Sequence, residues 1–523
     1  MKLPPHLLDE IINSLGEVFG ARRYADKVIE FAFKRHRKWG SRDRRLFAES
    51  IYECVRWWRW YWFLAGLPDE EHAQLENITP ERLWRVWAAY WITNGRELPR
   101  DENAPEVRPA DVLKRAKQDV PPAVRAAIPD WLEQRGQKEL ADAWPALREA
   151  LNVPAEVFLR VNTLKNDRRT LRERFAQEGF ETEIVEDVPS ALKLKQRANV
   201  FGSKAFKEGL FEVQDAASQL IAPLLQVEPG MRVIDACAGG GGKALHLAAL
   251  MRNKGRILAL DVHAWKLAEL RKRASRAGVD IIEAREIEGS KTIKRLAQSA
   301  DRVLLDVPCS GLGVLRRNPD AKWKLSEAEI ERLTALQAEI LESYSRMVVP
   351  GGKLVYATCS ILPSENERQV QSFLAKHGDE WTLEEELHRN PGTGAFDGFY
   401  AARLLLNARS MASAAAPAGA AAAFRRGTAA GSHQSCASDG DAANRLATVR
   451  MLRERGVLHA LADFKALRLL AFNLGNGFVN VSGHGGRVLS SKFQVSSFKP
   501  DARQEIKRRP GEGTPFRGKG HQC

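Results

Sequence analysis

The feature of this sequence that most constrains its fold is a regular alternation of strands and helices from residue 231 onward. Stretches such as MRVIDACA, RILALDV, RVLLDVP and KLVYATCS have the length and the β-branched, apolar content of buried strands. Amphipathic segments lie between them. One of these begins with a Ser326-x-x-Glu329 capping box and is predicted to be a long helix. A PGG sequence is predicted to end this helix before the last strand. This alternation predicts an α/β fold with a parallel, doubly wound sheet, which binds ligands at the carboxyl ends of its strands.

Polar residues lie where the predicted strands end. Asp235, Asp261, Asp306, Cys309 and Cys359 all lie at or just beyond such an end. A single cysteine at a strand end is often only packed there. Two cysteines at the same edge, one of them close to an aspartate, favour a catalytic role. The sequence therefore predicts one site that contains both thiols.

A glycine-rich loop, DACAGGGGK, joins the first strand of this region to a helix. Consecutive glycines let a ligand approach the backbone closely, and the helix N-terminus favours negative charge. The loop has neither the GxGxxG spacing nor the GxxxxGK[ST] pattern, because residue 237 is Cys and residue 244 is Ala. Asp261 ends the next strand, where a carboxylate can accept both hydroxyl groups of a ribose. The pair favours an adenosine-containing cofactor over the alternative, a glycine-rich turn without a ligand.

The remainder of the chain differs in pattern. Residues 1–150 repeat apolar side chains at helical spacing, and residues 151–215 alternate short strands with a helix. The run RWWRWYW could stack on RNA bases, but its helical spacing favours an aromatic core. We predict a helical domain at 1–150, a small α+β unit at 151–215, a catalytic domain at 216–404, and a low-complexity, disordered basic tail at 405–523.

Charge and cysteine content exclude several classes of protein. The net charge is +14, but residues from 404 onward hold 18 Lys and Arg against 7 Asp and Glu, so the first 403 residues carry only +3. Bulk charge therefore gives little support to nucleic-acid binding. The six cysteines fit neither a disulfide framework nor a CxxC zinc pattern. With no signal peptide and no run of about 18 apolar residues, we expect a cytoplasmic protein without a membrane span or a metal.

Five motifs together resemble the RNA cytosine-5 methyltransferases of the RsmB/Nop/Sun family: DACAGGGGK, LLDVPCSG, RRNPDAKWK, PGGKLVYATCSILPSENE and GLFEVQDAASQL. The resemblance covers residues 155–404 closely, and the N-terminal helices occupy the position of the NusB-like domain of bacterial members. It implies a class I methyltransferase, Rossmann-like fold, an RRM-like small unit and S-adenosylmethionine as cofactor. It also implies an RNA substrate, with ribosomal RNA expected over transfer RNA, and we expect a monomer.

The resemblance further implies roles for individual residues. Asp261 would bind the cofactor ribose, and Glu286, or alternatively Glu283, would contact the adenine. Asp306 would line the pocket shared by cofactor and target base, Cys359 would be the nucleophile, and Cys309 would assist product release. The cofactor loop would consist of Cys237, Ala238, Gly239, Gly240, Gly241, Gly242 and Lys243. AGGGGK stands where AAPGGK is usual, which we expect to loosen the loop and weaken cofactor binding without changing the chemistry.

The chemistry agrees with this assignment. A thiolate that adds to carbon 6 of cytosine makes carbon 5 nucleophilic, and only the thiolate form of a cysteine reacts. A proton near ring nitrogen 3, supplied through Asp306, would assist. The target base must be unpaired or flipped. Two alternatives remain: a class I methyltransferase for a protein or small molecule, which would not need two cysteines, and a non-catalytic RNA-binding assembly factor, against which the intact Asp306, Cys309 and Cys359 argue.

Overall fold

A computed structural model of the 523-residue chain describes residues 4–99, 104–391 and 396–408. Leu405 and Leu406 still belong to the last strand, and the predicted disordered tail beyond residue 408 lies outside the described residues. Within the described ranges, no helix is both long enough and apolar enough to cross a membrane.

The N-terminal part is helical, as its periodicity predicts. Trp58 and Trp62 of the RWWRWYW run are 1% and 0% exposed and pack with Trp87 and Trp91, so the aromatic-core interpretation is confirmed. Buried Arg59 from the same run forms ion pairs within the protein. The helices are α1 (Pro5–Phe19), α2 (Ala25–Arg35), α3 (Ser41–Arg56), α4 (Trp58–Leu64), α5 (Pro80–Thr93) and α6 (Pro109–Arg115).

The next three helices, α7 (Pro122–Arg125), α8 (Asp130–Leu140) and α9 (Trp144–Ala150), pack elsewhere. Leu132 and Trp144 are fully buried in a cluster with Leu312, Ile361 and Leu362, which lie close to the two candidate cysteines in sequence. The apolar core of the first helices ends at residue 112. We therefore propose that the helical domain ends before α7, and that α7–α9 support the catalytic domain.

A four-stranded antiparallel sheet in the order β2-β3-β1-β4 forms the small α+β unit. Its first helix begins because the Asp167 side chain accepts the Thr170 N–H at 2.9 Å. Its elements are β1 (Phe158–Val161), α10 (Arg168–Gln177), β2 (Thr182–Ile184), β3 (Ala191–Leu194), α11 (Lys204–Lys207) and β4 (Phe211–Val213). This βαββαβ order gives the ferredoxin-like topology that RRM domains share.

The catalytic region is built on a seven-stranded sheet in the order β10-β11-β9-β8-β5-β6-β7. Five neighbouring strands, β5 to β9, are parallel to one another, and helices connect them, as the alternation predicts. The elements are α12 (Ala216–Leu224), β5 (Arg232–Asp235), α13 (Gly242–Leu250), β6 (Arg256–Asp261), α14 (Ala264–Ala277), β7 (Ile282–Glu286), α15 (Ser290–Lys294), β8 (Ala300–Asp306), α16 (Ala321–Lys324), α17 (Glu327–Tyr344), β9 (Val348–Thr358), α18 (Glu367–His377), β10 (Trp381–Arg389) and β11 (Phe399–Leu406).

Two features of this sheet differ from the sequence prediction. PGG is predicted to end the long helix, but α17 already ends at Tyr344, and β9 begins at Val348 and runs through PGG, with Gly351 at φ +76° and a shifted register against β8. The sheet is mixed, because β11 lies antiparallel to both β9 and β10. Strand β10 is mostly exposed and has three consecutive glutamates at its centre, so it lacks the pattern of a buried strand. The parallel strands and the helices between them agree with the α/β, doubly wound fold that the sequence predicts.

Strand register brings the predicted site together. Asp261 lies opposite Glu286 in the β6–β7 pair, and Asp306 lies opposite Ala357 in the β8–β9 pair. Asp235 also ends its strand at this edge. The carboxyl ends of β5 to β9 therefore form one edge on which the candidate residues lie.

Candidate active site

The glycine-rich loop turns directly from β5 into α13. Gly239 and Gly241 have φ values of +54° and +84°, which side chains adopt only with strain. A Cβ atom on Gly241 would lie 2.6 Å from a leucine of α14. The Gly239 N–H donates to Asp261 at 2.9 Å, and the Gly240 carbonyl accepts from an arginine of α14 at 2.7 Å. The loop is thus fixed against β6 and α14, and the loosening expected from AGGGGK stays a prediction.

Asp261 is a buried acceptor at the end of β6. Its two oxygens accept the N–H groups of Gly239 and His263, the latter at 2.8 Å. Only 7% of the residue is exposed. Each carboxylate oxygen has a second lone pair, so Asp261 can still accept hydrogen bonds from a ligand.

Three acids on or after β7 are candidates for an adenine contact. Glu286 is exposed and lies opposite Asp261 at the sheet edge. Glu283 lies within the strand, where its carboxylate forms ion pairs with Arg256 and Arg285. This geometry favours Glu286 over Glu283. Sequence reasoning missed Glu288, an exposed acid two residues farther along the same loop.

Asp235 gives an independent indication of a ligand. It is 1% exposed, and neither carboxylate oxygen makes a hydrogen bond of ordinary geometry. Burial, reinforced by the negative charge of Asp306, raises the pKa of Asp235 to about 7. Buried acceptors without donors are costly. Beside the glycine-rich loop and the Asp261 carboxylate, the two Asp235 oxygens fit an adenosine cofactor that also carries a cationic amino group, as S-adenosylmethionine does.

Lys243 and Asp306 form an ion pair inside the site. The Lys243 Nζ lies 2.6 Å from Asp306 Oδ2, and their side chains are 10% and 30% exposed. Burial acts to lower the pKa of Lys243, but the charge of Asp306 and its hydrogen bond outweigh that effect and raise it. Lys243 is therefore a fixed cation. Because Lys243 binds Asp306 directly, it fixes the position of the Asp306 carboxylate, which a ligand in the site would contact.

The two candidate cysteines are in contact. The Sγ atoms of Cys309 and Cys359 are 3.3 Å apart, and the Cys359 N–H donates to Cys309 Sγ at the same distance. The hydrogen bond with Cys359 and burial raise the pKa of Cys309 well above its usual value. Cys309 is therefore a neutral thiol, able to donate its hydrogen to the neighbouring sulfur. Burial and nearby carboxylates likewise raise the pKa of Cys237, so that thiol is also neutral.

Two residues that sequence reasoning missed hold the cysteine loops. Glu365 is fully buried and accepts hydrogen bonds from Ser310 and Ser360. Asn366 accepts from the Thr358 hydroxyl and donates to the Ser360 carbonyl at 3.1 Å. The signal was available in ILPSENE, a motif that contributes to the family resemblance but to which no role was given.

Arg317 forms a second group that sequence reasoning missed. It contacts Asp397 and also Asp215, the latter at 2.6 Å, and both carboxylates are buried. Burial and the charge of Asp215 raise the pKa of Asp397 to about 6 despite Arg317. The three residues come from RRNPDAKWK, QDAASQL and DGFYAARL, which lie up to 182 positions apart. Together they anchor the segment that follows Cys309.

Comparison with known families gives two matches. The family described as 16S rRNA methyltransferase RsmB/F matches residues 222–405. The RsmF/B-like ferredoxin-like domain matches residues 128–201. The catalytic sheet and most of the small α+β unit therefore both have counterparts in one group of proteins.

Curated relatives have consistent names. Ribosomal RNA small subunit methyltransferase B of Pasteurella multocida is 40% identical over 256 residues, which cover 48% of this chain and 57% of that protein. The probable ribosomal RNA small subunit methyltransferases B of Synechocystis and Bacillus subtilis are 34% and 36% identical, with 53% and 49% of this chain covered. The matches span 66% and 58% of those two proteins, so the chain covers less than two thirds of these relatives.

Solved structures give the same fold. The crystal structure of PH0851 is 27% identical and covers 77% of this chain and 99% of its own, with a TM-score of 0.64. NSun6 from Pyrococcus horikoshii, solved with SFG, is 20% identical with a TM-score of 0.50 and covers 55% of this chain and all of its own. At that identity NSun6 supports the fold alone.

Proposed function

We propose that this protein transfers a methyl group from S-adenosylmethionine to carbon 5 of a cytosine in RNA, starting from the match of residues 222–405 to the family described as 16S rRNA methyltransferase RsmB/F. The observation that carries the proposal is the thiol pair. Cys309 and Cys359 are 3.3 Å apart at the ends of two adjacent strands, and Asp306 ends one of these strands. A methyltransferase that acts on nitrogen or oxygen needs no such pair.

The cofactor supplies an electrophilic methyl group when it is bound. On this proposal Asp261 accepts the ribose hydroxyl groups, and Glu286 or Glu288 contacts the adenine. The unsatisfied oxygens of Asp235 accept the amino group. The glycine loop allows close approach because Gly239 and Gly241 have no side chain.

The residues of the chain then act on the base. Cys359 adds as a thiolate to carbon 6, which moves an electron pair toward carbon 5 and lets that carbon accept the methyl group. Asp306, held by Lys243 at 2.6 Å, would contact ring nitrogen 3 of the base. Afterwards a water molecule accepts the carbon 5 proton, the electron pair of the broken C–H bond restores the ring double bond, and Cys359 is expelled as a thiolate. The neutral Cys309 thiol stabilises that thiolate by donating a hydrogen bond, which assists release.

A cluster of positive charge supports an RNA substrate. The segment 22–45, which includes α2 and the turn into α3, carries ten Lys and Arg against three Asp and Glu. Its charge of +7 exceeds the +3 of the first 403 residues, so the other residues up to 403 sum to −4. Arg37 and Lys38 in the turn and Arg42 at the start of α3 are exposed. Tyr24, just before α2, and Phe31, on α2, are 60% and 50% exposed. We call residues 22–45 the basic surface.

The basic surface is joined to the catalytic domain. The Ala25 N–H donates to Asp320 at 3.1 Å, and Lys324 donates to the Arg23 carbonyl at 2.9 Å. Asp320 and Lys324 belong to RRNPDAKWK, which follows Cys309 in the chain. Phosphates that bind the basic surface would thus lie beside the segment that follows Cys309 in the chain. The names of the relatives favour 16S ribosomal RNA as the substrate, with transfer RNA as the alternative.

Tritium release tests the proposal. The protein is incubated with S-adenosylmethionine and with small-subunit ribosomal RNA or transfer RNA that contains [5-³H]cytidine, because only replacement of the carbon 5 hydrogen liberates the label. We expect release from ribosomal RNA, none from Cys359→Ser, and normal release from Cys54→Ala, a buried thiol in the helical bundle. Methylation of RNA without tritium release would refute cytosine carbon 5 as the target.

A further inference from the structure

Each of the two cysteines is followed by a serine, and one buried carboxylate binds both serines. Glu365 accepts hydrogen bonds from the hydroxyl groups of Ser310 and Ser360 through the same oxygen, Oε2. Its other oxygen accepts the Ser310 N–H at 2.8 Å. Glu365 is 0% exposed. The residues next to the two thiols, 50 positions apart in sequence, are therefore joined through a single side chain.

Further hydrogen bonds fix the position of this carboxylate. Gln337 of α17 donates to Glu365 Oε1 at 3.0 Å and to the Pro308 carbonyl at 2.9 Å, so it also holds the residue before Cys309. The hydroxyl of Tyr356 on β9 donates to the Glu365 carbonyl at 2.6 Å. If the side chain or the backbone of Glu365 shifted, it would break contacts to β9 or to the loops that contain the two cysteines.

The chemistry of the pocket is unusual for a structural contact. The four groups that donate to the Glu365 carboxylate are two hydroxyls, one backbone amide and one side-chain amide, all neutral. A buried carboxylate that is compensated only by neutral donors contributes less to stability than an apolar side chain of similar size. The contribution of Glu365 is therefore mainly geometric, because four donors converge on its two oxygen atoms and fix the loops that supply them.

We infer that Glu365 is a positioning residue that sets the separation of the Cys309 and Cys359 thiols by holding the serine that follows each. The inference rests on the proposed function, because the 3.3 Å contact is what lets Cys309 assist Cys359. Through its negative charge Glu365 also helps to keep Cys309 protonated. Its contacts reach the residues beside the two cysteines, Ser310 and Ser360, and not the two sulfur atoms.

The first test measures thiol geometry without RNA. Phenylarsine oxide binds tightly only where two thiols lie close enough to share one arsenic atom. We expect wild type to bind it, Cys309→Ala and Cys359→Ala to lose that binding, and Glu365→Gln to bind at least about 10-fold more weakly. Glutamine offers one acceptor oxygen where four donors converge. If that oxygen keeps both serine hydroxyls, the glutamine NH₂ group faces the Ser310 N–H and the Gln337 amide, which are donors themselves, so the loop that carries Cys309 is no longer held in place. Unchanged arsenical binding in Glu365→Gln would overturn the inference.

The second test separates kcat from KM in the tritium assay. Misplacement of a reacting group by about 1 Å can cost on the order of 100-fold in rate. We expect Glu365→Gln to lower kcat about 10- to 100-fold and to change the KM for RNA less than about 2-fold, because the RNA surface is untouched. A Glu365→Gln enzyme with wild-type kcat would also overturn the inference. If wild type itself releases no tritium, the proposed function fails, while the arsenical result still decides the role of Glu365.

Glu133→Gln is the matched control. Glu133 is also buried and accepts from Trp144 and Arg148, at 3.0 and 2.8 Å, but it contacts neither cysteine loop. We expect Glu133→Gln to lower stability while arsenical binding and kcat stay at wild-type values. An equal loss of both in Glu133→Gln would mean general destabilisation and would count against the inference. If Glu365→Gln does not fold, the double variant Ser310→Ala, Ser360→Ala carries the same two measurements.

Discussion

Asp235→Asn should make the protein more stable, and increasingly so as the pH rises. In the folded protein the pKa of Asp235 is about 7, against 3.8 for an ordinary aspartate, because burial and the charge of Asp306 disfavour the carboxylate. Between these two pH values the folded state binds more protons than the unfolded state. The free energy of unfolding therefore falls as the pH rises through this range. Asparagine does not titrate, so it removes this loss.

The magnitude follows from the two pKa values. A difference of about three pKa units corresponds to about 4 kcal/mol at 1.36 kcal/mol per unit. We expect the free energy of unfolding of Asp235→Asn to exceed that of wild type by up to about 4 kcal/mol at pH 8, and the excess to disappear toward pH 4. In wild type the loss of stability is complete at pH values above about 7, the pKa of Asp235 in the folded protein.

Urea denaturation of the full chain at several pH values provides the measurement. The exposed carboxylate Asp142 serves as control, and Asp142→Asn should stay within about 0.5 kcal/mol of wild type at every pH. A difference between Asp235→Asn and wild type that does not change between pH 4 and pH 8 would refute the reasoning. The same variant should bind S-adenosylhomocysteine more weakly, because an amide replaces the acceptor of the amino group.

Three further predictions concern the thiols, the basic surface and the arginine cluster. Cys309→Ala should trap a covalent RNA–protein adduct that survives denaturing electrophoresis, because it removes the thiol that lies 3.3 Å from Cys359 Sγ and can donate to it. Normal turnover by this variant would remove the proposed role of Cys309. The double variant Arg37→Glu, Lys38→Glu should raise the KM for RNA and make that KM less dependent on salt, because contacts to phosphates contribute to affinity. The kcat should not change. An unchanged KM would exclude the turn as an RNA contact. Arg317→Met should lower the free energy of unfolding by about 3–5 kcal/mol in urea denaturation, because it leaves the buried carboxylates of Asp215 and Asp397 without their cation. A loss below about 1 kcal/mol would mean that these carboxylates become protonated instead.

Local patterns in the sequence determined much of the catalytic fold. The parallel strands, the turn at the glycine loop and the cap at Ser326, whose hydroxyl accepts the Glu329 N–H, all follow from residues that are close together in the chain. The edge on which Asp261 and Asp306 lie could also be predicted, because parallel strands end at the same side of a sheet. The cysteine pair was predicted to share a site for the same reason.

Other features depended on contacts that sequence separation hides. The β10–β11 hairpin was missed because the β10 side chains are mostly exposed and lack an apolar period. The packing of α7–α9 against Leu312 and Ile361 brings together residues more than 150 positions apart. Which acid on β7 faces the site was open until the register placed Glu286, and not Glu283, opposite Asp261.

By itself the sequence determined which residues are chemically competent and at which edge of the sheet they lie, because strand and helix periodicity is a local property. Only the tertiary structure decided what these residues contact: Cys309 with Cys359, Lys243 with Asp306, and Glu365 with both serines. The physical reason is that a hydrogen bond or an ion pair depends on distances of about 3 Å. Such distances are set by the packing of segments that the chain connects only through long crossovers.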